Sequence, residues 1–378
     1  MNQPQPCPPL RHRTLLALAL ALAVGLLAGC GGGGSPENPI TVDRLAYGEL
    51  STFTVTGTNL TSGVSFALQG CDGRASVAGG TATQQQFTCR PNALLAVRVG
   101  VVANGAEFYH KVFAVPVSSA KVEGTTPLTA DRLRYGQTST FTLAGTGLDT
   151  GVQLAVAGCD GVVQLADSNA TQRRFSCKPT GALNVQVALN NGLALVYETA
   201  LTVPAPQVTM LTTLGRVVVE LDPGKVKTTV DNFLAYVASG FYDGTIFHRV
   251  LKGFVNQGGA FTGVANGTLT PQTPQTPLRP TIPLESNKGL NNLRGTIAMA
   301  RQEDPNFNSA ASSFFFNAET NTFLNYSSPT APGYAVFGKV VSGQDVLDAM
   351  NGVPTRNLGN NQGVPLTDIV LQTATQTQ

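Results

Sequence analysis

Charge is scarce in this chain of 378 residues: Lys, Arg, Asp and Glu together make up 12%, about half the ~25% of an ordinary globular protein. The 24 basic and 22 acidic residues leave a net charge of +2, so no basic field exists to hold nucleic acid. Three His and six Cys, with no C-x-x-C or H-x-x-x-H spacing, give no dedicated zinc site. The apolar run at 15–28 is shorter than the ~20 residues that carry a helix across a bilayer. Low complexity is missing too, since 41 Gly and 23 Pro make about 17% of the chain, below the ~25–30% that marks such sequences. What is present is 42% hydrophobic residues, enough for real cores. The length calls for two or three domains at ~100–200 residues each.

Arg11, His12 and Arg13 precede the apolar run, and this order reads as a signal peptide over 1–29. The run closes with Leu27-Ala28-Gly29-Cys30, which resembles the lipobox of bacterial lipoproteins. That resemblance implies cleavage before Cys30 and acylation of its thiol. Gly31 to Gly34, Ser35 and Pro36 then form a flexible tether within 30–39. Several acyl chains, each contributing ~0.8 kcal/mol per buried CH₂, hold a protein durably on a membrane. The expected location is therefore the bacterial cell envelope, lipid-anchored, facing the periplasm or the outer membrane.

An internal repeat follows with a shift of 88 residues. Asp43-Arg44-Leu45 and Tyr47-Gly48 return as Asp131-Arg132-Leu133 and Tyr135-Gly136, Ser51-Thr52-Phe53-Thr54 as Ser139-Thr140-Phe141-Thr142, and Gly70-Cys71-Asp72-Gly73 as Gly158-Cys159-Asp160-Gly161. Short alternating runs between Gly and Asn turns, without helical period, predict two all-β sandwiches over 40–118 and 119–205. The signature is similar to the immunoglobulin-like modules of bacterial envelope proteins. Gly145-Thr146-Gly147 lacks the third glycine of a phosphate loop and becomes Gly57-Thr58-Asn59 in the first copy, so it reads as a turn. Cys71 with Cys89 and Cys159 with Cys177 sit at equivalent positions, each pair 18 apart. An intradomain disulfide in each copy suits an oxidising compartment and contributes ~3 kcal/mol in the chain-entropy model; free thiols or intermolecular bridges are the alternatives.

Beyond the stiff Val203-Pro204-Ala205-Pro206 linker the pattern changes. A hairpin over 208–221 precedes a helix marked by Val230, Phe233, Leu234 and Val237 and stopped at Gly240. Four blocks then arrive in order: 240–259, which holds Phe247-His248-Arg249-Val250 and Gly253-Phe254-Val255-Asn256-Gln257-Gly258; Gly295-Thr296-Ile297-Ala298-Met299-Ala300; Ser312-Ser313-Phe314-Phe315-Phe316-Asn317 with Phe323-Leu324-Asn325; and Gly333-Tyr334-Ala335-Val336-Phe337-Gly338. In these the segment 206–378 resembles the cyclophilins. The resemblance implies a closed eight-stranded β-barrel with two helices, the second over 344–351, in a mainly β chain. It also implies peptidyl-prolyl cis-trans isomerase activity on proline-containing unfolded or extended polypeptides, with no cofactor or metal; a catalytically weakened proline-peptide binding or adhesion lipoprotein is the rival reading.

Such chemistry must only lower a torsional barrier of ~18–20 kcal/mol. The prolyl nitrogen gains its lone pair at the twisted state, so a donor aimed there binds the transition state better than either ground state. Arg249 is the implied donor, with Phe254 and Gln257 completing the catalytic set; Gln257 orients the arginine or, alternatively, caps a turn. Phe247, Val255, Ala300, Ser313, Phe315, Phe323, Leu324 and Tyr334 are the implied substrate contacts. His248 reads as structural, because isomerisation transfers no proton. Four positions depart from the family pattern: Ser313 replaces a Gln, Tyr334 a frequent His, Val255 a usual Met, and Phe323 a Trp common in eukaryotic members. The proline-rich stretch 262–281 is expected to be a surface loop beside the active face.

Overall fold

The computed structural model describes residues 39–378 apart from 61–63, 93–95, 117, 182, 193, 273–278 and 304. The expected signal peptide, Cys30 and all but the last residue of the expected tether lie outside the described residues. The two repeat copies are built alike. In the first, a sheet ordered Ile40–Asp43, Ser51–Thr56, Gln84–Pro91, Cys71–Ser76 faces a second sheet ordered Val64–Gln69, Ala96–Ala103, Ala106–Ala114. Alternation along Ser51–Thr56 turns Phe53 and Val55 inward, where they meet Phe87 from the same sheet and Val97, Val99 and Val101 from the other. The second copy repeats this with Phe141, Leu143 and Phe175 against Val185, Val187 and Leu189. Phe53 stacks on Phe87 at 5.3 Å and Phe141 on Phe175 at 4.8 Å.

The likeness reaches the backbone. Arg44 and Arg132 both have φ of 50°, and the hydroxyls of Ser51 and Ser139 donate to their carbonyls at 3.2 and 3.1 Å, fixing the same left-handed turn twice. Disulfides join Cys71 to Cys89 and Cys159 to Cys177. Each links neighbouring strands of one sheet rather than the two sheets.

The third part is one antiparallel sheet of nine strands, ordered Thr245–Ile246, Val370–Gln376, Gln207–Thr212, Gly215–Leu221, Val336–Ser342, Thr296–Met299, Phe314–Asn317, Val255–Gly258, Arg249–Leu251. Of the expected eight-stranded closed barrel this shows a curled, mainly β sheet with two helices. Two residues, Phe247 and His248, interrupt what would be one strand, so Thr245–Ile246 and Arg249–Leu251 become the two ends of the sheet, and among the described residues no ladder joins them. The inner face carries Val208, Met210, Val217, Val219, Ile297, Phe314, Phe316 and Phe337. Helix α1, Lys227–Ala238, covers it with Val230, Phe233 and Val237 and ends where Gly240 takes φ of 68°. Helix α2, Gln344–Asn351, adds Leu347 and Met350.

The first part of the stretch 262–281 is a hairpin rather than a plain loop. Phe261–Ala265 pairs with Thr268–Pro271 across Asn266 and Gly267, whose φ values of 52° and 75° match a two-residue hairpin turn with both centres left-handed. The Asn-Gly pair outweighs the prolines here, which begin only where the second strand ends.

The second copy and the nine-stranded sheet share a continuous core. The Tyr135 hydroxyl donates to Asp231 Oδ1 of α1 at 2.7 Å, and Gln376 Nε2 donates to the Tyr135 carbonyl at 3.0 Å. Burial, then the Asp231 hydrogen bond, pushes the Tyr135 phenol far above its ordinary pKa. The equivalent Tyr47 lies against Gly192 of the second copy so closely that a Cβ there would sit 2.8 Å from its ring.

Candidate active site

Arg249 and Gln257 face each other across a tight hairpin, Arg249–Leu251 against Val255–Gly258. Gly253, with φ of 72°, makes the turn. Asn351 of α2 clamps it: Oδ1 accepts from Gly253 N at 2.7 Å, while Nδ2 donates to the Leu251 carbonyl at 3.0 Å and to Asn256 Oδ1 at 2.8 Å. Asn256 Nδ2 donates in turn to the Leu347 carbonyl at 3.0 Å. The inward-facing Asn256 is thus tied to the helix, and the next residue, Gln257, points outward.

Register then extends the row. Gln257 lies opposite Phe315, Phe315 opposite Ala298, and Ala298 opposite Val336. The face of the sheet opposite α1 therefore carries Arg249, Gln257, Phe315, Ala298 and Val336 in line over five adjacent strands, Ala298 and Val336 being buried under their neighbours. Phe315, Ala298, Val336 and Val255 form an apolar cluster with Phe254, Leu290, Ala300, Leu324 and Tyr334 packed around it. This is the face opposite the main core, since Phe314 and Phe316 alternate with Phe315 and point inward.

Arg249 Nη1 donates to Gln257 Oε1 at 3.3 Å, and its guanidinium carbon lies 5.9 Å from the centroid of Phe254. Burial lowers its pKa, opposed by Tyr334; a guanidinium so placed stays cationic. Phe254 stacks on Phe323 at 5.6 Å, and Phe323 is 73% exposed, a ring held at the rim. Phe315 meets Tyr334 edge-on at 5.6 Å. Buried asparagines set this wall. Asn317 Nδ2 donates to Asn292 Oδ1 at 3.1 Å, Asn321 Nδ2 to Asn317 Oδ1 at 2.9 Å, and Asn292 Nδ2 to the Leu324 carbonyl at 3.0 Å. The same carbonyl accepts from Tyr334 N at 2.9 Å.

Of the residues expected at the site, Arg249, Phe254, Gln257, Val255, Ala300, Phe315, Phe323, Leu324 and Tyr334 come together on this face. Ser313 lies at its edge with its hydroxyl committed, donating to the Gly258 carbonyl at 3.0 Å. Phe247 is a correction. It is 1% exposed and its ring packs against Phe314 and Phe316 in the main core, because the break between the end strands turns it inward. His248 is also buried, edge-on to Phe261 at 4.6 Å, with its pKa lowered to about 4 by burial and then by Arg249. Neutral and turned from the face, it fits a structural role. Ala298 and Val336 were missing from the sequence-based set; their alternation with inward-facing Ile297 and Phe337 was the available signal.

An apolar cluster beside a cationic side chain, with no nucleophile in the row, suits catalysis by shape and charge alone. The family model for cyclophilin type peptidyl-prolyl cis-trans isomerases matches residues 207–376. A peptidyl-prolyl cis-trans isomerase of Streptomyces antibioticus is 46% identical over 165 residues, 43% of this chain and 93% of the relative. Isomerase B of Escherichia coli is 42% identical over 170 residues, 44% of this chain and 98% of the relative. A solved Cryptosporidium parvum cyclophilin type isomerase aligns with a TM-score of 0.38 and 26% identity, over 46% of this chain and 99% of that one. The chain belongs to the cyclophilin-type peptidyl-prolyl cis-trans isomerases. The nine-stranded sheet over 207–376 is its isomerase part.

Proposed function

We propose that the row Arg249, Gln257, Phe315 is the catalytic centre and that it acts on extended, proline-containing polypeptides in the bacterial envelope. The prolyl ring enters the cluster of Val255, Phe315, Leu324 and Phe254, which brings its nitrogen under the Arg249 guanidinium. As the amide twists, one Nη–H donates to the pyramidal nitrogen and a second holds the preceding carbonyl. Gln257 accepts from Nη1 and keeps the fork aimed. Each ~1.36 kcal/mol gained at the twisted state speeds rotation tenfold. The observation that carries this reading is the 3.3 Å contact between Arg249 and Gln257 beside an apolar pocket on the same face. The test is turnover of a proline tetrapeptide by the full chain and by Arg249→Ala: retained turnover in the variant refutes it.

The rest of the chain reads as a stand. The two repeats, each a pair of small sheets around stacked phenylalanines, support immunoglobulin-like modules, and Cys30 as the acylated residue ties them to a membrane. In this reading the modules hold the isomerase away from the bilayer. Cys30→Ala should release soluble or unprocessed protein; mature-sized Cys30→Ala in the membrane fraction would defeat the anchor.

A further inference from the structure

The active face does not end at Val336. Beyond it lies a hollow of about 490 Å³ between the nine-stranded sheet and the second repeat, lined on its apolar side by Leu183, Ala205, Leu221, Leu290, Leu293 and Val336. Val336 and Leu290 belong both to this hollow and to the apolar cluster around Phe315. Leu293 is 48% exposed at its mouth, and Lys339 pairs with Glu220 at 3.5 Å on its rim. Leu183 comes from the second repeat.

The junction is fixed. The Leu183 carbonyl accepts from Val203 N at 2.8 Å, the Pro206 carbonyl accepts from Leu221 N at 2.9 Å, and Val203 is buried between them. Tyr135 on Asp231 provides the second fastening. The hollow is thus a built surface rather than a gap beside a swinging linker.

From Arg249 to Val336 the row crosses four inter-strand steps of ~4.8 Å, about 19 Å. At ~3.3 Å per residue, roughly six extended residues span it. We propose that the hollow is a second binding site for the client itself: a polypeptide whose proline sits under Arg249 lays an apolar side chain, about six residues away, between Leu183 and Leu293. The inference rests on the reading of the Arg249 face as the catalytic centre. The second repeat then contributes directly to substrate choice, and long unfolded chains are selected over short peptides.

The experiment uses the full chain with three substrates: a proline tetrapeptide, and the same tetrapeptide extended by eight leucine-rich residues on its N-terminal or on its C-terminal side. One extension should lower KM roughly fivefold with kcat unchanged, the gain of burying one apolar side chain less the cost of ordering it. Leu183→Asp and Leu293→Asp should each return KM to the tetrapeptide value; Asp is tolerated at the φ of 56° that Leu183 adopts. Tetrapeptide turnover should stay within about twofold in both variants, because that substrate is too short to reach the hollow. No gain from either extension, or a gain that survives both substitutions, overturns the second site while leaving the catalytic centre standing. Absent tetrapeptide turnover in the unaltered chain would overturn both.

Discussion

The strand Phe314–Asn317 has two sides with opposite duties. Phe314 and Phe316 point into a core closed by α1, where Phe314 meets Phe233 at 5.8 Å and Tyr242 at 5.4 Å, both edge-on. Phe315, one residue from each, points to the opposite face, where it meets Tyr334 edge-on and clusters with Val255, Ala298 and Val336. The three side chains are identical and all are buried, so residue type and burial alone cannot separate them. What differs is the company across the sheet. Phe315 lies in register with Gln257, and through it with Arg249, whereas Phe316 lies opposite Asn256 and Ile297. A sheet whose side chains alternate can thus carry a rigid core and a reaction surface within one tripeptide.

The comparison breaks most sharply under substitution of the inner face. Phe316→Ala should cost about 3–5 kcal/mol of stability, the usual loss for a large aromatic removed from a core. Thermal unfolding of the full chain reads this, and kcat/KM per folded molecule should be nearly unchanged. An unaltered melting curve would show that the two faces do not divide the work as described.

Arg249→Ala is the outer-face counterpart. It should lower kcat/KM on a proline tetrapeptide by ~10²–10³, as removal of one preorganised donor does elsewhere, with the melting temperature barely moved. Loss of the fold with turnover intact would invert the comparison.

His248 stands between the faces and gives the pH test. Its folded pKa of about 4 lies below the ordinary 6.5, so the neutral form is favoured by the fold. The contribution is present above pH 6.5 and is lost as pH falls through that value toward 4, on the order of 3 kcal/mol. His248→Gln should remove that part of the acid sensitivity in thermal melts between pH 6.5 and 4, and keep most of the turnover at pH 7. Identical acid profiles for the two proteins would contradict it.

The smallest effect concerns the edge of the active face. Ser313 now donates to the Gly258 carbonyl. Ser313→Gln offers a longer amide to a bound peptide, at a net ~0.5–1.5 kcal/mol per hydrogen bond. KM should fall a few-fold with kcat unchanged, as for interactions made equally in ground and transition states. A higher KM would mean that freeing Gly258 disturbs the hairpin that holds Arg249.

Much of this was legible in the sequence where local pattern decides. The 88-residue shift anticipated two alike sandwiches down to the paired cysteines, and Val230, Phe233, Leu234 and Val237 foretold the buried stripe of α1. Long-range pairing was not legible. The row from Arg249 to Val336 depends on the registers of five strands, three of them distant in the chain, and no spacing reveals it. Phe247 went wrong because it was carried over with the block that holds Arg249, whereas the break between the end strands turns its ring inward. The hairpin at 261–271 was masked by the prolines after it, although Asn266-Gly267 carried the turn.

The placement of the two disulfides has a further consequence. Cys71–Ser76 and Cys159–Gln164 are edge strands, each bulged at a left-handed glycine, Gly73 or Gly161, and each bolted by its first residue to the strand beside it. In the second copy this edge exposes Val162 and Val163 at 44% and 57%. Open edges with apolar side chains are templates on which another chain can add a strand. Reduction would leave the stacked phenylalanine core in place and instead free those strands to fray, so the first symptom of losing either bond would be self-association rather than unfolding, and the second copy would be the first to aggregate.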